Sequence, residues 1–311
     1  DKIIDFDKLD WCFIHEGNGR GSKLLQAHLD GGQDVLMLPG YACMYFFPFL
    51  EKYKKKTDSN EILNNFYKYF DSIFDSRKNP GSESLDTLGK NKNNFLITNK
   101  KKFENNFNFY LKKKEKNITE IFKAIHFAYF SANKKNFNKK VIISHVHVFK
   151  YFPKYIYNKF NEPKIIVMID DPIAHFLRRD KNSYLRPNFN KFFYSDFIIS
   201  IFYTFYQNVN LMTEGLQSLK IFGSKNVRAV MYNDLKNNIS KIMPKICKFL
   251  DISYKKKINN TPTFGSLKWN FTYFKEDISK HSVKKFYDLI NYSLILSEKE
   301  IQALYAAYKI S

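Results

Sequence analysis

Ile165-Ile166-Val167-Met168-Ile169 is a run of five side chains with no hydrogen-bonding group. A strand that is apolar on both faces must be covered on both faces, which a sheet with one wet side does not provide. Trp11-Cys12-Phe13-Ile14 and Val141-Ile142-Ile143 are likewise largely apolar on both faces. Between these runs the apolar spacing changes to that of helices, at Ile62, Phe66, Tyr69, Phe70 and Ile73, at Ile118, Ile121, Phe122, Ile125 and Tyr129, and over Ile239 to Leu250. Buried strands alternating with helices predict an α/β chain, three layers deep (αβα), around a central, mostly parallel sheet. Further strands are expected at Val35 to Leu38 and Val227 to Met231, and further helices at Phe152 to Phe160 and Ile173 to Arg179. The segment Thr261 to Ser266 and a last helix, Lys284 to Ile310, would cover an edge. One domain over 1–311 is expected, with a Lys/Asn/Phe-rich helical insertion at about 51–138.

A chain of 311 residues with 44% hydrophobic and 18% aromatic content can bury a sizeable core, which excludes disorder, collagen and coiled coil. No internal period points to a solenoid or propeller. The formal charge is +21, so an anionic partner or substrate is the first expectation. Most of that charge is lysine scattered among Asn, Phe, Ile and Tyr, which reads as solvated surface and not as a nucleic-acid patch. The six arginines are scarce enough to be informative. Cys12, Cys43 and Cys247 are far apart and odd in number, so no disulfide framework or metal knuckle is expected, and a reducing, cytoplasmic setting fits. No metal site and no membrane span are expected, because the longest apolar stretches, Phe197 to Tyr206 and Val141 to Phe149, fall short of about 20 residues. The chain begins with Asp1 and not Met, so a signal or anchor ahead of this numbering stays open, as does the oligomeric state.

Three motifs carry chemistry. Gly17-Asn18-Gly19-Arg20-Gly21-Ser22-Lys23 joins the first strand to a helix beginning at Leu24. Glycines there let amides point at an anion, and the helix dipole adds to the attraction, so phosphate or sulfate suits the turn. It is P-loop-like without being a Walker A sequence, since Ser22 precedes Lys23 where that motif needs Lys before the hydroxyl. His145-Val146-His147 follows the strand Val141 to Ser144. At the carboxyl end of a parallel strand, an imidazole reaches the ligand crevice and can take a proton from a hydroxyl nucleophile. Asp170-Asp171-Pro172 closes the apolar run of residues 165–169 and is followed by Arg178 and Arg179. Asp171 and Pro172 make a good helix start, whereas two adjacent guanidinium forks suit a phosphate.

The order of these motifs, with Tyr232-Asn233-Asp234-Leu235 and Phe249-Leu250-Asp251-Ile252 after them, resembles the PAPS-dependent sulfotransferase superfamily. PAPS is 3'-phosphoadenosine 5'-phosphosulfate. That superfamily has a loop similar to G-x-G-R-S-G-T-T-L-L, an R-D-P strand end, a Y-E-D-L segment and a helix ending F-L-G. His145-Val146-His147-Val148 is similar to H-G-H-V of the heparan 2-O-sulfotransferase type, and Pro172-Ile173 to its R-D-P-I. The resemblance implies transfer of a sulfuryl group from PAPS to a hydroxyl of a carbohydrate or other small acceptor, with PAP as product. It implies that Gly19, Arg20, Gly21, Ser22, Lys23 and Leu24 hold the 5'-phosphosulfate. Lys23 or Arg20 would offset charge on the leaving and transferred oxygens, and His147, then His145, would act as base. Trp269 and the Thr261 to Lys268 loop would lie on the adenine side, the alternative for Trp269 being simple packing. Lys23 stands where the family has Thr, Asp170 where it has the arginine for the 3'-phosphate, and Arg178 where it has Ser. Phosphate binding there would then fall to Arg178 or Arg179. Two competitors share the glycine turn: a Mg²⁺-dependent nucleotide phosphotransferase or NTPase using Asp170 and Asp171, and a sulfotransferase-fold binding protein without catalysis.

Overall fold

The computed structural model describes residues 2–15, 21–30, 32–38, 49, 59–77, 95–133, 135, 137–138, 141–146, 159–170, 215–254, 263–264 and 267–268. Their elements, in chain order, are α1 (Lys2–Asp7), β1 (Asp10–His15), α2 (Ser22–Leu29), β2 (Val35–Met37), α3 (Ser59–Tyr69), α4 (Asp71–Phe74), α5 (Lys100–Leu111) and α6 (Ile118–Ala132). After them come β3 (Val141–Val146), β4 (Lys164–Ile169), α7 (residues 215–222), β5 (Val227–Met231), α8 (Tyr232–Asn237), α9 (Ile239–Leu250), β6 (Thr263–Phe264) and β7 (Leu267–Lys268).

The central sheet has five strands in the order β2-β3-β1-β4-β5, all parallel. This is the expected three-layer αβα arrangement. Parallel register places paired residues on one face, so Ile14, His145 and Ile166 share a side, while Phe13, Ser144 and Ile165 share the other. The first side packs against α2, α8 and α9 through Leu25, Leu235, Ile246 and Leu250. The second packs Trp11, Phe13, Ile142 and Val167 against the aromatic helices α3 to α6. The two apolar faces explain why β1, β3 and β4 read as unbroken apolar runs.

The aromatic side is held by edge contacts. Trp11 meets Phe160 at 4.9 Å and His126 at 5.0 Å, and stacks with Phe13 at 5.9 Å. The helical spacing over residues 62–73 breaks at Phe70, so two helices, α3 and α4, stand where one was expected. Asn99 and Asn117 cap α5 and α6 by accepting from Lys102 N–H and Glu120 N–H. The helix expected over Phe152 to Phe160 does not include its last two residues, because Lys159 and Phe160 lie in a turn. Its remainder, with the segments expected as helices at Ile173 to Arg179 and Lys284 to Ile310, lies outside the described residues.

His126 is wholly buried on α6, donating from Nδ1 to Phe122 O at 2.9 Å. Burial lowers its pKa to about 3, because the charged ring would lose its water. The unfolded chain binds that proton below about pH 6.5 and the folded chain does not until about pH 3. Stability from this group is therefore complete above pH 6.5 and falls as pH drops toward 3, by about 1.4 kcal/mol per pH unit. Urea unfolding of wild type and His126→Gln at pH 7 and pH 4 should show a shallower pH dependence in the variant. Parallel dependence in the two proteins would contradict this reading.

Candidate active site

In the order β2-β3-β1-β4-β5, the chain leaves β1 toward β2 on one side, and later crosses from β3 to β4 on the other side of β1. Connections diverging in this way open a crevice at the carboxyl ends of the strands, here at β1 between β3 and β4. His15 ends β1, His145 and Val146 end β3, and Asp170 follows β4. The amino end of α2 is delivered to the same edge.

Gly21 makes that delivery possible. Its φ is +93°, in the left-handed region, and a Cβ built on it would lie 2.2 Å from Cδ2 of Tyr232. Only a residue without a side chain lets the turn press on the Tyr232 ring. Tyr232 is buried at the start of α8, directly after β5, and Leu235 roots α8 in the same cluster as Leu24 and Leu25. The segment Tyr232 to Leu235 thus clamps the glycine turn from across the sheet.

The first bond within α2 runs from Leu25 N–H to Gly21 O at 3.0 Å, so the amides of Ser22, Lys23 and Leu24 face out of the helix's amino end. No carboxylate occupies the first turn of α2, and Gly21 supplies no side-chain cap. Ser22 is buried, Lys23 half-buried, and the Leu24 side chain lies in the core, which leaves Leu24 only its amide for a ligand. Gly19 and Arg20 lie outside the described residues. Outward amides, a helix dipole and one lysine form a donor set matched to an anion.

His145 sits on the α2 side of the sheet in register with Ile14 and is 1% exposed. His147, like Arg178, Arg179 and Trp269, lies outside the described residues. Asp170 is fully buried at the end of β4. Four further polar side chains are buried near this edge: Ser22 and Gln26 on α2, and His15 and Ser144 at the ends of β1 and β3, the last two on the aromatic side of the sheet. Of these, the Gln26 Oε1 and Ser144 Oγ atoms have no hydrogen-bond partner among the described residues. Sequence reasoning passed over Gln26 and Ser144, although a polar residue on an apolar helix face or at the end of an apolar strand is a usable signal. The β6–β7 hairpin lies against α2 through β6 (Thr263–Phe264).

Neither described cysteine suits a nucleophile. Burial pushes the Cys247 thiol up to about 11 and raises Cys12 as well. Among the described residues no group of three His, Cys, Asp or Glu could hold a metal ion, and no helix is long and apolar enough to cross a membrane.

The described residues therefore form a P-loop-like α/β sheet with the amino end of α2 at its carboxyl edge. The fold is that of the sulfotransferases. It matches the sulfotransferase domain from the curacin biosynthetic pathway with a TM-score of 0.52 and 12% identity, over 97% of this chain and 98% of that one. The sulfotransferase domain of the Synechococcus PCC 7002 olefin synthase matches with a TM-score of 0.50 and 11% identity, over 97% and 96%. No family model and no curated protein matches the sequence.

Proposed function

We propose that the chain is a sulfotransferase that moves a sulfuryl group from PAPS to a hydroxyl of a carbohydrate or other small acceptor. The single observation that carries this reading is the left-handed Gly21, packed on Tyr232, which aims the amino end of α2 at the carboxyl edge of a sulfotransferase-type sheet. The donor set there fits the anionic 5' end of PAPS: outward amides at Ser22, Lys23 and Leu24, a lysine, and no carboxylate in the first turn.

PAPS supplies the sulfuryl group and leaves as PAP. The remaining steps belong to residues of the chain. The amides of residues 22–24, with Gly19 and Arg20 before them, bind and orient the phosphosulfate. Lys23 offsets negative charge on the transferred and leaving oxygens. His147 takes the proton of the acceptor hydroxyl, whose oxygen forms the new bond to sulfur as the bond to the departing phosphate breaks. His145, buried under α2, is the second candidate for that role. Asp170 is a carboxylate where the resemblance places an arginine, so the 3'-phosphate is assigned to Arg178 and Arg179, whose forks can grip it. Trp269 is assigned to the adenine side, near the β6–β7 hairpin that lies on α2.

The buried Asp170 at the end of β4 is also the observation that favours a rival, a Mg²⁺-dependent phosphotransferase. Chelation separates the two readings. Release of PAP from PAPS, followed with a panel of hydroxyl acceptors in EDTA, should continue unchanged. Phosphoryl transfer from ATP that stops in EDTA, with no PAP formed from PAPS, would establish the rival.

A further inference from the structure

Helix α5 is buried on one side and basic on the other. Phe103, Phe107, Tyr110 and Leu111 point into the aromatic core, which fixes the helix firmly. On the outward side, Lys101, Lys102, Asn105, Phe109 and Lys112 are all exposed. At 100° per residue these five fall on one stripe. The stripe holds no carboxylate, because Glu104, the only acidic residue of α5, falls outside it at 100° per residue.

Two apolar residues just ahead of α5 in the chain are exposed as well. Phe95 and Ile97 are 49% and 57% exposed. They are presented rigidly. Ser76 N–H donates to Leu96 O at 3.0 Å, Thr98 N–H donates to Phe74 O at 2.9 Å, and Asp75 bridges to Ile97. The Arg77 guanidinium lies 4.7 Å from the centre of the Phe95 ring, and Lys113 lies 4.9 Å from that of Phe109. Each exposed aromatic ring therefore carries a cation on its face.

Folding does not account for this pattern. Lys100, Lys101 and Lys102 stand in the first turn of α5, where the helix dipole is positive and opposes them. Asp71 and Asp75 offset Lys100 and Arg77, but among the described residues nothing acidic is set against Lys101 or Lys102 on the stripe. A partner that gains from both features has to be anionic at its surface and apolar just beneath.

We propose that the outward face of α5, with Phe95 and Ile97, is a docking surface for an anionic lipid bilayer. The lysines meet the headgroup charge, while Phe95, Ile97 and Phe109 enter the boundary between headgroups and acyl chains. A flexible polyanion would use the lysines and leave Ile97 without a role, which is why the bilayer is the occupant assigned.

The test is co-sedimentation of the whole chain with vesicles of phosphatidylcholine, with and without about 30% phosphatidylserine. Binding is expected only with phosphatidylserine. It should weaken about tenfold or more in Phe95→Ser/Ile97→Ser/Phe109→Ser, and similarly in Lys101→Glu/Lys102→Glu/Lys112→Glu. Because the chain carries +21, the control reverses three exposed lysines of α9, as Lys241→Glu/Lys245→Glu/Lys248→Glu, and should bind as wild type does. All the changed side chains are exposed, and circular dichroism confirms that each variant is folded. Equal loss in the α9 control would overturn the proposal in favour of unspecific attraction. Unchanged binding by the serine variant would overturn it in favour of a polyanion site.

Discussion

Gly21→Ala should lower the unfolding free energy by about 2–5 kcal/mol, the sum of a left-handed φ imposed on a residue with a side chain and of overpacking against Tyr232. The two contributions can be separated. Tyr232→Ala alone leaves a cavity, whereas Gly21→Ala/Tyr232→Ala removes the 2.2 Å collision and keeps only the backbone cost. The double variant should therefore be more stable than the sum of the single effects implies, by about 1 kcal/mol or more in a double-mutant cycle. Strict additivity would mean that the turn and α8 are not in contact, and the clamp on the anion site would be lost as an explanation. The same substitution should abolish the response to PAP, since the Cβ can be accommodated only by moving the amino end of α2.

The second large effect concerns chemistry without folding. Lys23→Ala and His147→Ala should each reduce turnover about 100-fold or more, with little change in the unfolding midpoint. Lys23 is half-buried and charged, so its removal leaves no cavity in the core. Lys23→Arg should restore part of the rate, because it keeps the charge that the transferred group needs. Wild-type rates in Lys23→Ala and in His147→Ala would remove both role assignments. A loss confined to His145→Ala would transfer the base to the other histidine.

Much of the fold is legible in the sequence where burial is two-sided. The strands at residues 10–15, 141–146, 164–169 and 227–231 announce themselves by unbroken apolar runs or short β-branched segments, and Ile239 to Leu250 by its helical spacing. Helix α1 is harder to read, since Lys2-Ile3-Ile4-Asp5-Phe6-Asp7 is short and buries only Ile3 and Phe6. The break between α3 and α4 at Phe70 is invisible, because the apolar spacing runs through it and the turn is set by packing against Phe49 and Phe66.

The site was legible in its local parts only. A glycine turn between a strand and a helix suggests an anion site through spacing alone, and the structure places Gly21, Ser22, Lys23 and Leu24 at that helix start. What holds the turn could not be read, because Gly21 and Tyr232 are more than two hundred residues apart and meet only through the strand order. Gln26 and Ser144 escaped for a related reason. A buried polar atom has meaning only once its surroundings are known, and adjacent letters in the sequence do not supply them.

The most direct measurement is thermal unfolding with PAP, and with ATP and Mg²⁺, for wild type and Lys23→Ala. A ligand that binds only the folded chain stabilises it by about 2.7 kcal/mol at a hundred times its Kd. PAP should raise the wild-type midpoint with or without Mg²⁺, and the rise should shrink in Lys23→Ala. A rise with ATP and Mg²⁺ and none with PAP would contradict the account.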